Sequence, residues 1–143
     1  MKIETAKELE VYNVGFRLAM EIFQLTKTFA SEEKYALTSQ IRRSSRSVCL
    51  NLREAWAKRR YEAHFISKLT DCDGENNETD SSLDFALSCG YITADRQAHL
   101  SEHCAEIGRM MQKAVHFVYP TIRLPISVLC PPTSDLRPQT SDL

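Results

Sequence analysis

The chain has 143 residues, 43% of them hydrophobic and 26% charged, a mix that excludes a wholly disordered chain, a collagen-like fibre and a disulfide mini-scaffold. Eighteen basic and nineteen acidic side chains leave a net charge of −1, so no bulk charge advertises nucleic acid or an anionic membrane. All five prolines fall at residue 120 or beyond and only four glycines occur, so residues 1–119 hold little that would interrupt long helices.

The opening Met1–Glu8 lacks the apolar region of a secretory signal. No apolar run approaches the roughly 20 residues of a spanning helix, so the expected location is the cytoplasm with no membrane contact. The spacing predicts a first helix over about 5–28. Val11, Leu18, Ile22, Leu25 and Phe29 share one stripe on a 3.6-residue wheel. Leu9, Tyr12, Phe16 and Phe23 form a second stripe about 120° away. That is wider than one core-facing side needs. Either the helix is deeply buried within one chain, or the second stripe is a subunit contact.

Ser31-Glu32-Glu33 resembles a helix start, with Ser31 as cap and the acids in the first turn. The second helix is expected over about 32–60, with Leu37, Ile41, Ser44, Val48, Leu52 and Ala55 inward. Residues 40–60 also carry seven basic side chains against Glu54 alone. Arg42, Arg46, Arg53 and Arg60 follow at steps of 4, 7 and 7, within about 40° of one another and away from the apolar stripe. Such a row can follow a nucleic-acid backbone. It could equally be a solvated face or an inter-subunit salt-bridge ladder. Trp56 lies beside it, available for base stacking or for packing, and packing is favoured.

A third helix is expected over about 61–89, ending at Gly90. It carries six acids and no base between Asp71 and Asp84, enough to neutralise the arginines if the two helices meet that way. Asn76 falls inside its apolar stripe, while Gln40 and Asn51 border that of the second helix. Buried amides need partners, so an interhelical network of Gln40, Asn51 and Asn76 is expected. Thr93 opens a fourth helix to about 119, with Leu100, Cys104, Ile107 and Met111 inward. Residues 120–143 read as a flexible, proline-containing tail, with a docking peptide at Ile122–Cys130 as the alternative. The domains are thus 1–119 and 120–143, and the fold class is all-α: an antiparallel up-down four-helix bundle.

Other chemistry is sparse. The five cysteines (Cys49, Cys72, Cys89, Cys104, Cys130) show no CxxC pair and read as four small buried hydrophobes plus a tail thiol. His99 and His103 stand at i, i+4, with only Glu102 or Glu106 nearby in sequence, so they read as a surface pair. No metal, cofactor or catalytic residue is expected, for the chain lacks a Walker loop, GxGxxG, HExxH and GxSxG. The expectation is therefore a non-enzymatic module.

From Tyr35 through Ser44, with Ser47, Asn51 and Glu54, the chain resembles the bacterial 23S ribosomal RNA intervening-sequence protein family, also called the four-helix bundle protein family. Glu78-Thr79, Leu83 and Cys89-Gly90-Tyr91-Ile92 extend the likeness over roughly residues 8–118. Ala30 stands where the family usually has proline, and Asn51-Leu52-Arg53-Glu54-Ala55 replaces Asn-Ile-Ala-Glu-Gly, which predicts a straighter second helix. The resemblance implies a ring-forming bundle, typically a homopentamer, with no established enzyme activity and genes often found inside ribosomal RNA intervening sequences. A related bundle in diversity-generating retroelements is a basic pentamer that binds nucleic acid and a reverse transcriptase. Two functional readings follow: an oligomer that contacts RNA or DNA backbone through the arginine stripe, or a scaffold that holds a partner enzyme without touching nucleic acid.

Overall fold

The computed structural model describes residues 2–118; the expected tail and docking peptide lie outside the described residues. Four helices form: α1 (Glu10–Thr26), α2 (Leu37–Ala57), α3 (Glu62–Ser88) and α4 (Ala94–Val118). Short 3₁₀ turns, Ala6–Glu8 and Ser31–Glu33, precede α1 and α2, and no strand occurs among the described residues. Each helix packs on its sequence neighbours and α1 closes against α4, while the diagonal pairs stay apart. This is the expected antiparallel up-down bundle. Among the described residues no helix is long and apolar enough to cross a membrane.

The helix boundaries move inward from the expected ones for local reasons. At the first helix, Leu9 takes extended backbone (φ −71°, ψ 132°) and interrupts the run, while the Glu8 carboxylate accepts from the Thr5 N–H at 3.2 Å. Ser31 does not cap α2. The chain makes one 3₁₀ turn, Ala36 breaks the helical backbone (φ −116°, ψ −110°), and the Glu33 carboxylate accepts from the Leu37 N–H at 3.1 Å. Tyr91 donates to the other Glu33 oxygen at 3.0 Å, and that carboxylate pushes the phenol pKa up to about 12. Thr93 opens α4 as expected, its hydroxyl accepting from the Arg96 N–H at 3.2 Å.

Gly90 ends α3 at φ 76°, a conformation that costs side-chain-bearing residues more. The Gly90 N–H donates to Leu87 O and the Tyr91 N–H to Ala86 O, both at 2.9 Å, the paired bonds of a Schellman cap. The same turn brings Tyr91 onto Phe29, ring centroids 5.2 Å apart.

Side chains from all four helices fill the core, with Ile22, Ile41, Leu83, Leu100 and Ile107 fully buried. Each such side chain is worth about 1.5–3 kcal/mol relative to exposure. Gly15 lets α1 lie close on α2: a Cβ there would stand 3.4 Å from both Cys49 Sγ and Val48 Cγ1. Gly15→Val should therefore wedge the two helices apart and cost about 1–3 kcal/mol. Urea denaturation would read this as a lowered midpoint; an unchanged midpoint would remove the close-packing argument.

Two sequence expectations need correction here. Cys89 is exposed, so three cysteines rather than four are buried: Cys49, Cys72 and Cys104. Burial pushes the Cys49 thiol up to about 11 and the Cys104 thiol up to about 12. Cys130 lies outside the described residues. The Gln40–Asn51–Asn76 network does not form. Asn76 is buried, as its place in the stripe implied, but its Nδ2 donates to Cys104 O of α4 at 2.9 Å. Asn51 Nδ2 donates to Ser47 O within its own helix at 3.0 Å, and Gln40 is exposed. The reason is angular: Asn76 points across the α3–α4 seam, away from α2. A buried side-chain link between α2 and α3 is made by Thr79 and Ser44 instead, hydroxyl oxygens 2.9 Å apart.

Candidate functional site

The arginine stripe and the second apolar stripe, separate in sequence, meet on one outer face of the α1–α2 pair. Arg42 is half-buried there, and its Nε donates to Thr26 Oγ1 at 2.7 Å. Its guanidinium carbon lies 4.9 Å from the Phe23 ring centroid. Arg46 approaches the same ring at 5.7 Å and Lys27 Nζ at 4.8 Å. Three cations thus share one aromatic ring, each attracted by its electron-rich face.

Along α2, Arg46 and Arg53 are exposed. Arg60 is exposed as well, but it lies past the helix end at Ala57, so it leaves the helical register expected of it. The physical cause is the terminus of α2. Arg59 folds back, its Nη1 donating to Trp56 O at 2.8 Å and its guanidinium covering the indole at 4.4 Å. That satisfies a terminal carbonyl and ends the helix. Trp56 is half-buried, and its Nε1 donates to Glu4 O at 3.4 Å. It borders an apolar cavity of about 350 Å³ shared with Leu9, Leu52, Phe65 and Met110. Packing, rather than an open stacking platform, is its observed role.

The acids of α3 turn elsewhere. Glu78 meets Arg43 at 3.5 Å, off the stripe. Asp71 meets Lys68 at 3.3 Å, and Lys68 also holds Glu54 at 2.9 Å, which lowers the Glu54 pKa through that hydrogen bond. Asp84 accepts from Gln97 at 2.7 Å. Among the described residues, none of Arg42, Arg46, Arg53 and Arg60 forms an ion pair.

The expected subunit stripe divides. Leu9 and Tyr12 pack against their own core, and Phe23 lies under its three cations. Phe16 alone stays open, 53% exposed, stacked on Tyr12 and followed one turn later by Met20 at 44%. Met20 is absent from the expected stripe, although it continues the same wheel position.

A family model described as 23S rRNA-intervening sequence protein matches residues 7–113, a span that takes in the whole α1–α2 face. The chain belongs to the 23S rRNA-intervening sequence protein family. A crystal structure of an S23 ribosomal protein family member of unknown function from Bacteroides thetaiotaomicron is similar to it at 29% identity. The likeness covers 73% of this chain and 94% of that one, with a TM-score of 0.66. Comparison with curated proteins finds no match. Arg53 stands exposed on the arginine face.

Proposed function

We propose that this family member is a non-enzymatic, cytoplasmic binding module that contacts the phosphate backbone of RNA or DNA through the α1–α2 face of its 1–119 domain. The observation that carries the reading is the set Arg42, Arg46 and Arg53 on one helix face, free of ion pairs among the described residues. Unpaired arginines attract phosphate without first surrendering a carboxylate. Phe23 and Thr26 position Arg42, while Arg46 and Arg53 present their charge to solvent. Arg60 extends the basic surface beyond the helix.

The working unit in this reading is a homo-oligomer, with a pentamer favoured. Phe16 and Met20 supply the exposed apolar strip on which a neighbouring chain would sit, since Met and aromatic residues are enriched at such contacts. Repetition around a ring multiplies a stripe of a few charges into a closed array.

Binding should be sequence-independent and strongly salt-sensitive. Fluorescence anisotropy against generic RNA and duplex DNA, titrated with salt, measures both. Charge reversal by R46E with R53E should weaken binding to all sequences. On duplex DNA it should flatten the log–log salt slope by about 0.9 for each phosphate that is no longer neutralised. Absence of binding by the wild type at low salt would transfer the face to the alternative reading, a scaffold for a partner protein.

A further inference from the structure

Outside that face, the fold assembles a chemical cluster that the arginine reading does not use. Glu21 of α1 meets His99 and His103 of α4, and the candidate donor atoms of all three lie within 4.8 Å of one another. The two histidines are one helical turn apart, so both project over the same strip of α4. Their rings stand edge to face, centroids 4.7 Å apart. His99 Nε2 lies 3.5 Å from Glu21 Oε2. Sequence spacing offered only Glu102 and Glu106 as further ligands. Glu102 is instead drawn to Arg109 at 2.7 Å, and the third ligand arrives from a helix some eighty residues earlier.

We propose that Glu21, His99 and His103 form a Zn²⁺ site that staples α1 to α4 across the closing seam of the bundle. The donor set is two imidazoles and a carboxylate, which suits a borderline divalent transition metal with a fourth position left for water. Zinc–ligand bonds of about 2.0–2.2 Å place neighbouring ligand atoms about 3.3 Å apart. The His99–Glu21 separation is already near that value. The His103 donor atom lies within 4.8 Å of the other two, and its side chain is 30% exposed.

The surroundings also fit. His103 Nδ1 lies 3.5 Å from Glu106 Oε2. A proton held on Nδ1 toward that carboxylate leaves Nε2 with the lone pair, the carboxylate–histidine–metal arrangement that orients ligating imidazoles. Glu21 and Glu106 together balance the charge of a divalent ion. Arg96 opposes it: its Nη2 lies 3.5 Å from the same Glu21 oxygen and competes for it. This site is independent of the nucleic-acid reading, because it sits on the α1–α4 seam and uses none of the arginines of α2.

The test is calorimetric titration of Zn²⁺ into the full chain without an affinity tag, with a parallel Co²⁺ titration followed by visible absorption. One ion per chain is expected, with cobalt bands of a four- or five-coordinate site and a thermal midpoint raised by Zn²⁺. H99A and H103A should each weaken binding by at least about tenfold, and E21Q should do so to a lesser degree. R96Q should bind at least as tightly as wild type, since it frees Glu21. These side chains are part-exposed, so the variants should keep wild-type helicity and metal-free midpoints. Should one fail to fold, the other two decide. Binding unchanged in H99A and H103A would overturn the proposal. So would loss only in C89S, which would assign the ion to the exposed thiol, or the lack of saturable binding at one ion per chain.

Discussion

Asn76→Asp should be among the most damaging single-atom changes available to this bundle, costing about 3–5 kcal/mol near neutral pH. Asn76 is 4% exposed, and its Nδ2 donates to Cys104 O at 2.9 Å. A carboxylate oxygen in that position faces a carbonyl oxygen with no proton between them. Nearby polar atoms offer no rescue: Glu75 Oε2 and Asp80 Oδ1 are also buried without a hydrogen-bond partner among the described residues. The substituted side chain therefore keeps its proton in the folded state, with its pKa raised above the unfolded value of about 3.9. The folded state then binds more protons than the unfolded state. Stability consequently falls as pH rises above that unfolded value, by up to about 1.4 kcal/mol per pH unit, until the folded-state pKa is passed. Denaturant titrations of variant and wild type at acidic and neutral pH measure the difference. The variant's deficit should shrink on acidification, while Asn76→Leu, which brings no charge, should show a deficit independent of pH. A pH-independent deficit for Asn76→Asp would mean that the side chain reaches water.

The helices were legible because their apolar positions recur at 3.6 residues and few prolines or glycines compete before residue 119. Their ends were less legible, for specific reasons. Ser31 had the right chemistry for a cap, but Ala36 breaks the backbone after one 3₁₀ turn and hands the cap to Glu33. Arg60 had the right wheel angle, but the turn at residues 58–61 removes the wheel it was placed on. A wheel gives the angle of a residue on its own helix and not the rotation of that helix against its neighbours. That is why Asn76 was correctly placed inside and yet paired with the wrong helix. The same gap hid the meeting of Phe23 with Arg42, and that of Glu21 with His99. Each joins residues whose separation in sequence carries no signal, and only the order in which α1 packs on α2 and on α4 brings them together.

Leu83→Ala and Phe85→Ala, two residues apart on α3, should differ sharply. Leu83 is fully buried among residues of the central cluster, whereas Phe85 is 65% exposed. Truncating Leu83 removes three buried carbons and leaves a cavity that the surrounding helices can only partly close, at a cost of about 2–5 kcal/mol. Domains of this size are stable by about 5–15 kcal/mol in all, so a large share of the total would go. Truncating Phe85 in an isolated chain removes a ring that already faces water, and the cost should stay within about 0.5 kcal/mol. Denaturant midpoints at two protein concentrations separate the cases. The Leu83→Ala loss should hold at both concentrations, because the cavity lies within one chain. A Phe85→Ala loss that grows with protein concentration would mean that the outer face of α3 is covered by another chain, and the oligomer contact would then extend beyond the Phe16–Met20 strip of α1.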